Sequence, residues 1–294
     1  SAAPIIMKVL VERDAFADVV AAAARVVDRS SLIPILKSVL LTAADRRLMI
    51  AGTDMGARLE AGVAAEISNV TAEPRICVPA ATLNTIVSRL PKGAQVLLEW
   101  PETPKAMTIH AGRSRSILQS LPASDYPVQM DMPQDAVQFT MPGKDLAAGI
   151  AAVQFAVSND AVRYYLCGIY MHVRNGAHPE YGRSNERRLV LAASNGYDAA
   201  SIAFELPQGS EDIPGVILPD SAIPEIARLA ANADGDIEIK LSKTLASFAA
   251  RGTTIVTKLV DGTFPDYIRA TPADNPWQML IDCEALSHAL MRLV

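Results

Sequence analysis

Apolar and polar positions alternate in short runs along the chain and then switch to a helical period, and the switch recurs. Lys8-Val-Leu-Val-Glu-Arg-Asp-Ala-Phe begins as an alternating strand and passes into an apolar stripe that predicts a helix to about Val27. Alternation returns near Leu36–Leu41, Arg47–Ala51 and Arg58–Ala64, predicting three strands. The unit then starts again, with a strand over Ile76–Pro79, a helix over Ala80–Leu90, and strands near Gln95–Glu99, Ala106–Ala111 and Ser114–Leu121. Turns such as Pro91-Lys-Gly93 and Ala233-Asp-Gly235 punctuate the pattern.

The whole arrangement repeats with a period of about 130 to 140 residues, too long for a solenoid and right for tandem domains. Gln138-Phe-Thr-Met-Pro-Gly-Lys-Asp-Leu leads into a helix predicted to end near Val157, and Met279-Leu-Ile-Asp-Cys-Glu-Ala-Leu begins a third amphipathic stretch. Val78-Pro79 has its counterpart in Leu218-Pro219, and the tail Ser120–Pro127 in Leu259–Pro265. The predicted domains are 7–128 and 136–270, with Met130–Gln134 as linker and 271–294 as the start of an incomplete third copy. Two helices packed on antiparallel sheets in each copy predict an α+β class.

Composition narrows the function. The 294 residues are 50% hydrophobic and 20% charged, which excludes overall disorder, and the net charge of -5 argues against a surface that coats nucleic acid. Charge is uneven: 14 basic against 12 acidic side chains lie in 7–128, and 12 against 17 in 129–270. The first copy is therefore the more basic half. Apolar stretches are too short to span a membrane and no charged leader precedes a hydrophobic core, so a cytoplasmic protein is expected. Cys77, Cys167 and Cys283, odd in number and widely spaced, read as reduced thiols.

Candidate chemistry is sparse. His110, His172, His178 and His288 have no metal-ligand spacing with one another or with the cysteines. No phosphate-binding glycine loop, nucleophile elbow or Cys-His signature occurs, and no paired carboxylates stand out. Neither a catalytic residue, a metal nor a cofactor is expected.

Val162-Arg-Tyr-Tyr-Leu-Cys-Gly168 and Lys258-Leu-Val-Asp-Gly-Thr-Phe-Pro-Asp-Tyr267 are long, unusual strings. With Gly52-Thr-Asp54, Leu90-Pro-Lys-Gly93, Gly112-Arg-Ser-Arg115 and Leu121-Pro-Ala-Ser-Asp-Tyr-Pro127, they make the chain resemble the bacterial DNA polymerase III β subunits, the sliding clamps, over residues 7–294. The resemblance implies a non-catalytic polymerase subunit. Such proteins have three similar domains per chain, and two chains close into a ring around duplex DNA. A ring held on DNA by topology needs only a weakly attractive bore, since phosphate contacts carry no sequence information.

By this resemblance, Arg25, Arg29, Arg89, Lys144 and Arg228, on or beside the predicted helices, are the DNA-facing cations, and Tyr165 is counted with them. A pocket for a short peptide of the replicative polymerase, the clamp loader and repair proteins is implied around Arg163 and Leu166. Its floor would be Ser194, Gly196, Tyr197 and Ala199, and its far side Pro265, Arg269 and Ala270. Ser194-Asn-Gly-Tyr-Asp-Ala199 stands where the family has Thr-Asp-Gly-His-Arg-Leu, so peptide preference should differ. The loop Arg174–Arg188 is expected to be a long exposed excursion. Arg113, Arg115, Ile117 and Leu118 are expected at the subunit interface. Three readings remain: a truncated clamp, a diverged clamp-like protein that binds partner peptides without encircling DNA, and three two-domain chains closing one ring. A homo-oligomer is expected of the full-length family but is doubtful for this chain.

Overall fold

A computed structural model describes residues 6–70, 74–101, 105–174, 186–270, 276–277 and 279–292. Backbone contacts gather the described residues up to Phe264, apart from Glu186, into one unit, and Glu186 with those from Pro265 onward into a second.

The first unit uses one supersecondary unit four times: a strand, a helix and three strands. In order these are β1 (Ile6–Glu12), α1 (Arg13–Val26), β2 (Ser38–Ala44), β3 (Arg47–Thr53) and β4 (Ala57–Ser68), then β5 (Arg75–Pro79), α2 (Ala80–Arg89), β6 (Gln95–Pro101), β7 (Ala106–Ala111) and β8 (Ser114–Gln119). The second copy runs β9 (Val137–Pro142), α3 (Gly143–Val153), β10 (Gly168–Arg174), β11 (Arg188–Ser194) and β12 (Ala199–Glu205), then β13 (Val216–Pro219), α4 (Ile223–Ala231), β14 (Asp236–Leu241), β15 (Leu245–Ala250) and β16 (Thr253–Lys258).

Each opening strand crosses to the sheet of the other half. β1 pairs with β6, and β5 with β2; likewise β9 pairs with β14, and β13 with β10, all antiparallel. β1 pairs on its other side with the end of β4 in its own half, so in the first repeat it joins the two half-sheets. The repeats are joined edge to edge by β4 and β16, with Ala61 opposite Thr253 and Ala57 opposite Thr257. This pairing extends one path of strands from β8 to β9.

Strand alternation sets the core. β1 and β6 bury every second residue, including Val9, Val11, Leu98 and Trp100. Helix α1 buries Phe16, Val20, Ala23 and Ala24, one stripe at helical spacing, and the Glu12 carboxylate caps it by accepting from the backbone of Asp14 and Ala15. Gly52 of β3 lies directly beneath α1. A Cβ there would stand 2.1 Å from the carbonyl oxygen of Ala23.

Three elements differ from the pattern-based expectation. The strand expected from Leu36 begins at Ser38, because Pro34 starts a 3₁₀ turn over Pro34–Lys37. The helix expected to reach Val157 ends at Val153 and tightens into a 3₁₀ turn over Gln154–Ala156. β4 runs to Ser68, because its second half pairs with β1. The excursion expected between Arg174 and Arg188 falls on 175–185, outside the described residues, as does His178. In the second unit, α5 (Cys283–Leu290) is capped by Asp282, whose carboxylate accepts from the Ala285 N–H at 2.8 Å.

Candidate functional site

Four helices of the first unit form a row of neighbours. α1 packs on α2 and α3 on α4, and an ion pair from Arg25 of α1 to Glu225 of α4 connects the two pairs, giving the order α2–α1–α4–α3. Gly143, at the start of α3, permits the close approach to α4, since a Cβ there would lie 2.5 Å from the Ala230 carbonyl oxygen.

The predicted cations are distributed unequally along this row. Arg25, Arg89 and Arg228 lie in the last turns of α1, α2 and α4, where a positive charge complements the helix dipole. Their positions thus have a helix-stabilising explanation. Lys144 has none: it is exposed in the first turn of α3, where the dipole disfavours a cation. Arg29 lies beyond the end of α1 and donates to the Ala24 carbonyl at 3.3 Å. Arg25 is held on Glu225, its Nε donating to both carboxylate oxygens at 2.8 and 3.0 Å, with Arg228 Nε 3.5 Å away. Arg89 and Lys144 have no ion pair among the described residues.

Tyr165 lies off the helix row, in a 3₁₀ segment over Ala161–Leu166 that is kinked at Arg163. Its ring meets Tyr164 edge to face at 5.8 Å, and its Cβ would stand 2.9 Å from a Cβ on Gly262. Arg163 donates through Nε to Asp160 at 2.9 Å. This hydrogen bond holds the Asp160 carboxyl below its ordinary range and raises the guanidinium further. Leu166 is buried beside them.

The turn joining β11 to β12 faces Arg163. Gly196, at φ +91°, brings its backbone so close that a Cβ would stand 2.4 Å from the guanidinium. Asn195 makes the turn by accepting from the N–H groups of Tyr197 and Asp198, while Ser194 Oγ donates to the Asp198 carbonyl and accepts from Gly196 N–H. Arg163, Leu166 and the Ser194–Gly196 turn therefore belong to one region of the second repeat. Tyr197 does not form the expected floor. It sits at the tip of the turn with 91% of its surface exposed. Ala199 is exposed as well. Pro265 and Arg269 belong to the second unit, where both are exposed and Arg269 pairs with Asp266 at 3.0 Å. The side chain of Ala270 lies outside the described residues.

At the far end of the sheet, β8 pairs with β7 on one edge and, among the described residues, has no strand on the other. Arg113, Arg115 and Ile117 are exposed there, Ile117 by 58%. Leu118 is a correction: alternation along β8 turns it inward, 3% exposed, so it is a core residue and offers no side chain to a partner.

Sequence reasoning passed over Glu225 and Asp160. Both stand three residues before an arginine, a spacing legible on a helix or tight turn, but the Arg25 contact bridges elements 200 residues apart. No cluster of three or more metal-ligating side chains is present among the described residues, and no described helix is long and apolar enough to cross a membrane.

Two protein-family models match the chain: DNA polymerase III beta subunit, N-terminal domain, over residues 7–131, and DNA polymerase III beta subunit, central domain, over 140–266. A beta sliding clamp of Caulobacter vibrioides is 32% identical over 289 residues, covering 98% of this chain and 74% of the relative. The beta sliding clamp of Escherichia coli is 30% identical over 261 residues, 88% of this chain and 66% of its own. Among solved structures, the sliding clamp from Bartonella birtlesii bound to griselimycin superposes with a TM-score of 0.88 at 32% identity, covering 98% of this chain and 74% of that one.

Proposed function

Since the chain belongs to the DNA polymerase III beta subunit family, the beta sliding clamps of DNA replication, we propose that it encircles duplex DNA and tethers the replicative polymerase, the clamp loader and repair proteins to it. The family is a non-catalytic processivity factor of DNA polymerase III. The reading assigns the row α2–α1–α4–α3 to the duplex, with Lys144 and Arg89 as its freest cations and Arg25, Arg29, Arg228 and Tyr165 beside them. It assigns a peptide-binding role to the region of Arg163, Leu166, Ser194 and Gly196, with Tyr197 at its rim. Domains of 7–128 and 136–270 and a cytoplasmic location complete the proposal. Arg113, Arg115 and Ile117 on the open edge of β8 would meet the neighbouring subunit.

The observation that carries this reading is Lys144, a cation placed against its own helix dipole on a shared row of helices from both repeats. A field of such charges attracts phosphate without selecting a sequence. The test is retention after loading on nicked circular and on linearised DNA. A ring stays on the circle in high salt and slides off the linear form. Equal loss from both would overturn encirclement and favour a clamp-like protein that binds partner peptides alone, which the Arg163–Gly196 region supports independently.

A further inference from the structure

Glu225 stands where the inner helices of the two repeats meet. It lies in the first turn of α4 with its side chain 12% exposed, and both carboxylate oxygens accept from Arg25 Nε, at 2.8 and 3.0 Å. Arg228, one turn along the same helix, brings its Nε to 3.5 Å from the same carboxylate. One half-hidden acid therefore engages two cations of the helix row.

The other acids of this recess are committed elsewhere. Asp28, Asp54, Arg29 and Ser30 line it together with Arg25 and Glu225. The Asp28 carboxylate accepts from Ser30 and Ser31 N–H and from Ser30 Oγ, and these bonds, led by the Ser30 hydroxyl, keep its acidity high. Asp54 accepts from the N–H groups of Gly56 and Ala57 in the turn before β4. Both are turn-forming groups. Among the described residues of the recess, Glu225 is the acid that holds side-chain cations.

We infer that Glu225 sets the strength of the duplex-facing surface by holding Arg25 and Arg228 away from phosphate, an inference that rests on the assignment of the helix row to duplex DNA. Two guanidinium groups and one carboxylate carry a formal charge of about one positive unit instead of two. A phosphate that draws Arg25 off Glu225 leaves a largely buried carboxylate with fewer partners, and one that binds the outer nitrogens of Arg25 meets a guanidinium whose charge Glu225 already offsets. Attraction is thus held low at the seam between repeats, and the surface binds loosely enough for the protein to move along the duplex.

Glu225→Gln tests this, because it keeps the shape and one acceptor oxygen but removes the charge. Binding of the whole chain to a labelled duplex is followed by fluorescence anisotropy between about 50 and 200 mM NaCl, the range over which phosphate contacts are lost. Glu225→Gln is expected to tighten binding at least about five-fold at the lowest salt and to steepen the slope of log K against log salt by about 0.9 to 1.8, for one or two added phosphate contacts. Adding Arg25→Ala to Glu225→Gln should remove at least half of that gain. If wild type binds with a salt-dependent affinity that Lys144→Ala weakens, yet Glu225→Gln matches wild type in affinity and slope, the inference is overturned and the duplex assignment stands. If neither wild type nor Glu225→Gln binds duplex at low salt, the duplex assignment itself fails, and the inference with it.

Discussion

The two repeats fasten the tail that follows their last strand in the same way through the backbone and in different ways through side chains. In the first, Leu121 N–H donates to the Cys77 carbonyl at 3.0 Å; in the second, Val260 N–H donates to the Ile217 carbonyl at 3.0 Å. The aromatic residue that follows is Tyr126 in one and Phe264 in the other. Tyr126 is buried, donates its hydroxyl to the Ala51 carbonyl at 2.9 Å, and has the Arg58 guanidinium 5.7 Å above its ring. Phe264 instead lies 4.9 Å from the ring of Tyr170, nearly parallel, and Tyr170 stacks in turn on His172 at 4.5 Å. The position requires a large flat group between the sheet and the tail. A directional hydrogen bond and a stack of rings both meet that requirement.

The difference also gives the repeats different sensitivities. Burial pushes the Tyr126 phenol well above its ordinary range, so it remains a hydrogen-bond donor at any physiological pH. In the second repeat, burial, aided by the charge of Arg174, lowers His172 from 6.5 to about 4. The unfolded chain takes up that proton near 6.5 and the folded chain only near 4. The contribution to stability is therefore complete above pH 6.5 and declines as pH falls towards 4.

The comparison is broken most severely by Phe264→Ala, which leaves a cavity beside Tyr170 and should cost about 3 kcal/mol or more in urea unfolding. A loss below about 1 kcal/mol would show that the stack does not fasten the tail. Acidification comes next. Between pH 7 and 5 the second repeat should lose about 1 to 2 kcal/mol relative to a His172→Phe variant, whose profile is flatter; parallel pH profiles of the two proteins would refute this. The smallest effect expected is that of Tyr126→Phe, which keeps the ring but leaves the Ala51 carbonyl without the hydroxyl, at about 1 kcal/mol. An unchanged urea midpoint would mean that packing alone holds the first tail.

Much of the architecture was legible in the sequence because strand and helix periods are local. Alternation over Ala106–Ala111 coincides with β7, and the apolar stripe from Phe16 to Ala24 with the buried face of α1. Legibility failed where a boundary depends on a distant partner. β4 continues to Ser68 because β1 lies beside it, and Leu118 turns inward because the register of β8 on β7 is fixed by pairing. The candidate site divides in the same way. Lys144 at a helix start and Arg163 in its unusual string were visible as residues, but the exposure of Tyr197 follows from a turn built by Asn195 and Ser194, and no local pattern announces it.

The sequence by itself determined the repeat, the strand–helix–three-strand unit within it and the family to which the chain belongs, since all three are written in the order and spacing of side chains. Only the tertiary structure decided that opening strands exchange between half-repeats, that β4 meets β16, and that Glu225 holds Arg25. Those contacts join residues as much as 200 positions apart. Their existence depends on which edges and helix faces remain unfilled once every local element has formed, and that is settled by packing the whole chain at once.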